Sequence, residues 1–424
     1  MKQSIFILTY LFSICLLLTS LPTANAQLLN RIKNEVKNRA ATRAVSESGN
    51  ATDKTVDKTK KGIVNIIKGN GDHSDEHQNQ VTHKNEHDNV VNEEPRVAIA
   101  DYKSYDFVPG DKIIFEPDLS KEADAELPAR FSIKKGNAEI QSYETEKILH
   151  LDAGGYVTVT PLIDNESYLP DQYTVEFDMM YENNKDRFDQ VNDFNVYFYK
   201  PEDSNYDGYG LYRFNIHSNE QANVGPHGTP GQRMTDALAK AMQTNDVWHH
   251  VAIYAHKNIV KAYINEYRVA ATNSIPTGAG KLAIRTDGRY GFKIKNFRMA
   301  AGGDDKYNKI VTDGKFITHG ILFDVGKATI KPESMGTLNQ VAKLMREHPD
   351  LKFEIRGHTD SDGAEDSNMI LSQQRADAVK EKLLQQKIEA SRLTTKGIGE
   401  GQPMDSNETA EGKANNRRVE FVKI

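Results

Sequence analysis

The chain has 424 residues, 38% of them hydrophobic and 27% charged, with a formal net charge of −6. That length supports about two or three domains, and the acidic balance argues against a nucleic-acid partner. With one cysteine, Cys15, no intrachain disulfide can form.

The first predicted element is an export signal. Met1-Lys2 gives a basic start, Ile5 to Leu21 an apolar core, and Ala24-Asn25-Ala26 a small-residue cleavage site before Gln27. Residues 1–26 therefore read as a signal peptide. Cys15 lies inside the apolar run, after Ile14, where a lipidation signal would want a small residue. The mature chain is expected to contain no cysteine and no thiol-linked lipid. An uncleaved membrane anchor is the competing reading, but Thr9, Tyr10, Ser13 and Thr19 interrupt the run and it ends at the cleavage motif.

Residues 27–100 are polar and mostly free of aromatics, too poor in apolar material to build a core. Leu29, Ile32, Val36 and Ala40 recur at helical spacing, as do Val64 and Ile67, so short solvated helices in a mostly disordered linker are expected. His73, His77, His83 and His87 form two His-x-x-x-His pairs, a spacing that can share a metal on a helix. No apolar face is there to hold such a helix, so the stretch reads as solvated low-complexity sequence. No structural metal and no cofactor is predicted.

Over residues 105–303 the texture changes to short β-like runs punctuated by Gly, Asn, Asp and Pro. Candidate strands are Ile148 to Leu151, Tyr156 to Thr160, Tyr173 to Tyr181, Phe194 to Tyr199, Leu211 to Ile216, Trp248 to Ala255, Ile259 to Ile264, Lys281 to Arg285 and Phe292 to Met299. Regular short strands of this kind predict an all-β sandwich. The run Val247 to Tyr254 followed by Val260 to Asn265, and the segment Tyr173 to Asp178, resemble the laminin-G/concanavalin-like jelly roll. That resemblance implies a domain that meets a glycan or a protein. Trp248, the only tryptophan, is expected between the sheets. Glu176, Asp178 and Glu182 fall at even offsets on one strand and so share a face, which supports an alternative reading as a glycoside hydrolase with two carboxylates across a groove. Their spacing is wider than in the laminarinase-like enzymes, and a polar row opposite Val175, Phe177 and Met179 is ordinary for a half-exposed strand.

Residues 315–424 carry the most specific pattern. Lys352 to Arg356 alternates polar and apolar residues, as a half-buried strand does, and runs into the turn formers Asp360, Asp362 and Gly363. From about Ser367 to Gln386 the positions Ala376, Val379 and Leu383 recur at helical spacing, with Asp366 or Ser367 as the expected N-cap. Asn368, Ser372, Arg375 and Val379 share one helical face, so Arg375 projects from the edge of the packed side and needs an acceptor there. The motifs Ile321-Leu322-Phe323-Asp324, Gly357-His358-Thr359-Asp360, Asn368, Leu371-Ser372, Arg375-Ala376 and Asn416-Arg417-Arg418-Val419 resemble the OmpA-like peptidoglycan-binding family. The resemblance implies an α+β domain whose Asp360 and Arg375 grip the diaminopimelate residue of a peptidoglycan stem peptide, with Asn368, Thr359 and Asp324 at the pocket rim. A carboxylate suits the ligand's ammonium and a guanidinium fork its carboxylate. The plainer alternative is that Asp360 and Arg375 pair with each other. Arg417 and Arg418, before a final alternating strand, read as structural or as surface charge.

The sequence thus predicts a multidomain, non-enzymatic exported protein: a signal peptide, a linker, a jelly-roll sandwich, and an OmpA-like domain that holds peptidoglycan. It is expected in the periplasm, bound to wall and associated with the outer membrane without a spanning segment or barrel pattern.

Overall fold

The computed structural model describes residues 105–182, 192–206, 208–217, 220–242, 244, 246–288, 290–302 and 306–424. The segments expected to be a signal peptide and a linker, with its histidine pairs, lie outside the described residues. Strands are numbered along the chain. One antiparallel sheet contains β1 (Lys112–Phe115), β3 (Ala138–Tyr143), β4 (Glu146–Leu151), β6 (Gln172–Tyr181), β11 (His249–His256), β12 (Ile259–Ile264), β13 (Tyr267–Thr272) and β15 (Phe292–Ala301). Its order is β13-β12-β11-β6-β15-β4-β3, with β1 beside β15. The second contains β2 (Phe131–Lys135), β5 (Gly155–Pro161), β7 (Asn192–Tyr199), β8 (Tyr212–His217), β9 (Gln221–Gly225), β10 (Gln232–Arg233) and β14 (Lys281–Gly288), in the order β10-β9-β8-β7-β14-β5-β2.

Strand alternation builds the core between these sheets. Val175, Phe177 and Met179 of β6 face Phe194, Val196 and Phe198 of β7 in one buried cluster, and the rings of Phe177 and Phe194 lie 5.4 Å apart. Every strand expected from the sequence is present. Trp248 is not in that core. It lies just before β11, half-buried, with its ring under Lys295 Nζ at 4.4 Å and edge-on to Tyr143.

The C-terminal region is α/β. β16 (Lys315–Thr318), β17 (Phe353–His358), β18 (Leu393–Gly399) and β19 (Val419–Lys423) form a sheet in the order β16-β19-β17-β18, with β17 and β18 parallel. Helices Met335–Glu347 and Glu365–Gln385 contribute Leu338, Val341, Ala376, Val379 and Leu383 to the core that it shares with Phe316, Phe353 and Phe421. Among the described residues no helix is long and apolar enough to cross a membrane.

The described residues belong to one compact unit. Ala252 of β11 and Tyr263 of β12, on the outer face of the eight-stranded sheet, share a buried cluster with Phe107 before β1 and with Phe316, Leu338 and Phe353 of the C-terminal sheet and helices. Helix Met335–Glu347 approaches closely because residue 336 is glycine; a Cβ there would sit 1.7 Å from the Phe107 carbonyl oxygen. Asn415 completes the joint from the other side. Its Oδ1 accepts from the Ile113 amide at 2.9 Å, and its Nδ2 donates back to the Ile113 carbonyl at 3.5 Å.

That joint explains the fate of the central carboxylates. Glu176 is 3% exposed and takes Arg298 Nη2 at 2.8 Å and Nε at 3.2 Å, while Arg298 Nη1 donates to the His319 carbonyl of the C-terminal region at 3.2 Å. Asp178 accepts from His250 Nδ1 at 2.8 Å and from Asn296 at 2.6 Å. Glu182 lies 2.7 Å from Lys293 and 3.0 Å from His150. Burial by itself would raise the Asp178 carboxyl, but His250 outweighs it and holds the group at about 2. Burial opposes a charge on His250 too, yet Asp178 and Glu176 push the imidazolium up to about 10. A glycosidase needs one carboxylic acid kept protonated in an open groove. All three carboxylates are ionised and paired, and Glu176 is buried.

Candidate functional site

Two glycines set the floor of the site. A Cβ at Gly357 in β17 would lie 2.2 Å from the Ser372 carbonyl oxygen, and one at Gly397 in β18 would lie 2.7 Å from the Gln373 amide. Their absence lets helix Glu365–Gln385 rest directly on the parallel strand pair. Ser372 Oγ then accepts from the Gly399 amide at 2.9 Å, which fixes the helix's rotation and hence where Arg375 emerges.

Between β17 and this helix runs the loop that carries the acid. The helix begins at Glu365 with Ala364 as an N-cap that makes no side-chain bond, earlier than the cap expected at Asp366 or Ser367. Glu365 and Asp366 fill the first turn instead, where carboxylates favour the helix dipole. Gly363 takes φ +98°, which a residue with a Cβ adopts poorly. Asn368 reaches back from the helix. Its amide nitrogen donates to the Asp362 carbonyl at 3.0 Å, the Asp360 carbonyl at 3.3 Å and Glu400 Oε2 at 2.6 Å. Asn368 therefore shapes the loop from beneath. Thr359 is buried, with its amide on the Gly399 carbonyl at 3.0 Å and its hydroxyl without a hydrogen-bond partner.

Asp360 and Arg375 do not pair with each other. Asp360 Oδ1 accepts from the Asp362 amide at 3.2 Å, and Oδ2 accepts from Arg417 Nη1 at 2.7 Å. The half-buried Arg375 donates from Nε to the Lys327 carbonyl at 3.0 Å, and its guanidinium lies 4.9 Å from the centre of the Phe323 ring. Among the described residues it makes no ion pair, so its terminal nitrogens are left without a protein carboxylate. Burial pulls the Arg375 guanidinium below its ordinary value, nearby Asp360 opposes that, and Arg417 adds to it. The Arg375–Lys327 contact also brings in the turn containing Asp324, where the Asp324 amide donates to the Thr329 carbonyl at 3.1 Å. Val325, at the tip of that turn, is 91% exposed, and Met369 and Ile370 are exposed on the helix.

Arg417, read from the sequence as structural or as surface charge, is bonded to Asp360 of this site. β17 and β19 are antiparallel with Gly357 opposite Val419, so the residues before Val419 run alongside the Thr359–Asp360 loop. Adjacent residues in extended chain point to opposite sides. Arg418 accordingly turns inward onto Glu420 at 2.8 Å, and Arg417 turns outward onto Asp360. The second terminal nitrogen of Arg417 reaches Glu116, just after β1, at 2.7 Å. Glu116 carried no sequence signal, since it lies 301 positions from its partner.

A loop acid, a guanidinium with open valence and an exposed apolar rim suit a small zwitterion with a carbon chain. The family comparison decides what kind of domain holds them. Residues 322–417 form an OmpA-family domain. Over 104 residues the chain is 49% identical to the probable lipoprotein YiaD of Escherichia coli, covering 24% of this chain and 48% of that protein. It is 39% identical over 102 residues to the peptidoglycan-binding protein ArfA of Mycobacterium bovis, covering 24% and 31%. Among solved structures, the peptidoglycan-associated lipoprotein of Burkholderia pseudomallei aligns with 26% identity and a TM-score of 0.24, over 24% of this chain and 88% of that one. The chain spans about half or less of the curated relatives named here. The OmpA-family domain contains Asp324, Thr359, Asp360, Asn368, Arg375 and Arg417; Glu116 comes from outside it.

Proposed function

We propose that this is an exported cell-envelope protein whose OmpA-family domain binds peptidoglycan non-covalently through the diaminopimelate residue of the stem peptide. One observation carries the reading most of the way: Arg375 is half-buried beside the Asp360 loop, yet among the described residues its terminal nitrogens meet no carboxylate. A desolvated guanidinium without an anion is costly, and a ligand carboxylate in two parallel bonds would relieve that cost. The ammonium on the same ligand carbon would meet Asp360, whose ionised carboxylate retains acceptor capacity beyond the two donors it has. The relative named for peptidoglycan binding supports the same ligand class. Asn368 holds the loop, Asp324 stands at the rim, and Thr359 is buried within the loop's base. In this reading the two-sheet region is a laminin-G-like jelly roll held at the wall, and the protein works as an anchor of the periplasm and outer membrane, without catalysis.

Co-sedimentation of the intact protein with insoluble sacculi tests the assignment. Diaminopimelate-type wall should retain it. Lysine-type wall, lacking the second carboxylate, should retain it more weakly. Equal retention on both would assign Arg375 another task.

A further inference from the structure

We propose that Glu116, a carboxylate of the two-sheet region, is a positioning residue of the wall pocket that keeps Asp360 attractive to an ammonium; this rests on the peptidoglycan reading above. The reason lies in how Arg417 is held. Each of its terminal nitrogens carries one carboxylate, Asp360 on Nη1 and Glu116 on Nη2, both at 2.7 Å. The strand end bearing Glu116 is fixed against the OmpA-family domain, because Asn415 bonds both the amide and the carbonyl of Ile113.

Charge counting gives Glu116 its role. Around the loop stand two guanidinium groups, Arg375 and Arg417, and Asp360, which bonds Arg417 and lies near Arg375; Asp362 of the same loop is already balanced by Lys413. Without Glu116, Arg417 would balance Asp360 alone, and an incoming ammonium would meet a cluster with one excess positive charge. With Glu116 the count is two acids to two cations. Arg417 then has a second acid to lean on when the ligand's ammonium competes for Asp360. Attraction by Glu116 and Asp360 holds Arg417 firmly protonated against the opposing effect of burial. The pocket is in this sense composite: the OmpA-family domain supplies the atoms that touch ligand, and the two-sheet region sets the charge balance behind them.

The experiment titrates the intact protein by calorimetry with two synthetic stem peptides. One has a free diaminopimelate ammonium and carboxylate; the other has that ammonium acetylated. Wild type should prefer the free peptide. Glu116→Gln should bind the free peptide about tenfold more weakly while leaving the acetylated one nearly unchanged, so the selectivity ratio falls by about tenfold. Glu116→Asp should recover part of the ratio. Arg417→Gln, which removes the competitor for Asp360, should keep the ratio high with or without Glu116→Gln, and it serves as the second test should the single Glu116 variant fold poorly. An unchanged ratio in folded Glu116→Gln, or an equal loss for both peptides, reduces Glu116 to a structural bridge and overturns the proposal. Wild type that binds neither peptide instead overturns the wall reading on which the proposal rests.

Discussion

Two clusters in this molecule combine acids with cations, and they end in opposite states. On the outer face of the eight-stranded sheet, Glu176, Arg298, Asp178 and His250 lie together, each with a charged partner within the cluster, and the buried Arg298 also reaches the His319 carbonyl of the C-terminal region. At the proposed wall pocket, Asp360, Arg417 and Glu116 form a bridge, while Arg375 has no carboxylate partner among the described residues. The two clusters look alike as a list of residue types. What separates them is a guanidinium with open valence at a partly exposed surface: in the first cluster every charge has an opposite charge beside it, and in the second Arg375 is free to take a ligand in the proposed reading.

Breaking the closed cluster should have the largest effect. Arg298→Ala leaves Glu176 buried without its main partner and should cost about 3–5 kcal/mol of stability, read as a shifted denaturation midpoint. Opening the pocket should leave stability nearly unchanged but remove binding. Asp360→Ala or Arg375→Ala is expected to lose about 2–5 kcal/mol of wall affinity in the sacculus assay, since each removes one half of a charge-assisted recognition pair. A variant that melts early and still binds would invert the comparison.

A smaller effect tests the joint between the two regions. Gly336→Ala places a methyl against the Phe107 carbonyl oxygen and should destabilise by about 1–3 kcal/mol, because backbone has little room to move there. The pH dependence sharpens the picture further. His250, raised from 6.5 to about 10, and His150, raised to about 9, contribute stability that is fully present below pH 6.5 and is lost as pH rises through those values. His319 and His358 are buried neutral and pushed down to about 4, mainly by burial, so their contribution is lost as pH falls from 6.5 toward 4. The melting temperature should therefore peak near pH 6.5. His250→Gln should flatten the alkaline side and leave the slope between pH 6.5 and 4 alone, while below pH 4 it also removes the stability that Asp178 gains from His250; a profile with the same alkaline slope would show that His250 is not charged in the fold.

How much of this was legible in the sequence follows from what each residue depends on. The candidate strands appeared because β-branched and aromatic residues alternate along them, as in Tyr173 to Tyr181. Weaker runs such as Ala138–Tyr143 and Tyr267–Thr272 were missed, being diluted by polar and small residues on edge strands. The even-offset face of Glu176, Asp178 and Glu182 was also legible, since strand alternation is local. That another region would cover part of that face was not, because the covering residues lie more than a hundred positions away. The same limit applies at the pocket. Asp360, Asn368 and Arg375 are ordered by one strand, one loop and one helix within a short stretch, whereas Arg417 reaches them through sheet register and Glu116 through the joint. Trp248 was expected between the sheets, but it precedes β11 and stacks under Lys295 at the outer surface.

The most direct test of the central claim is calorimetric titration of the intact protein with a diaminopimelate stem peptide, comparing wild type with Arg375→Ala. Micromolar or tighter binding is not required; what matters is the difference. Arg375→Ala should bind at least about thirtyfold more weakly, corresponding to about 2 kcal/mol or more, with its melting temperature nearly unchanged. Equal affinity in the two folded proteins would contradict the assignment of the open guanidinium as the ligand's carboxylate site.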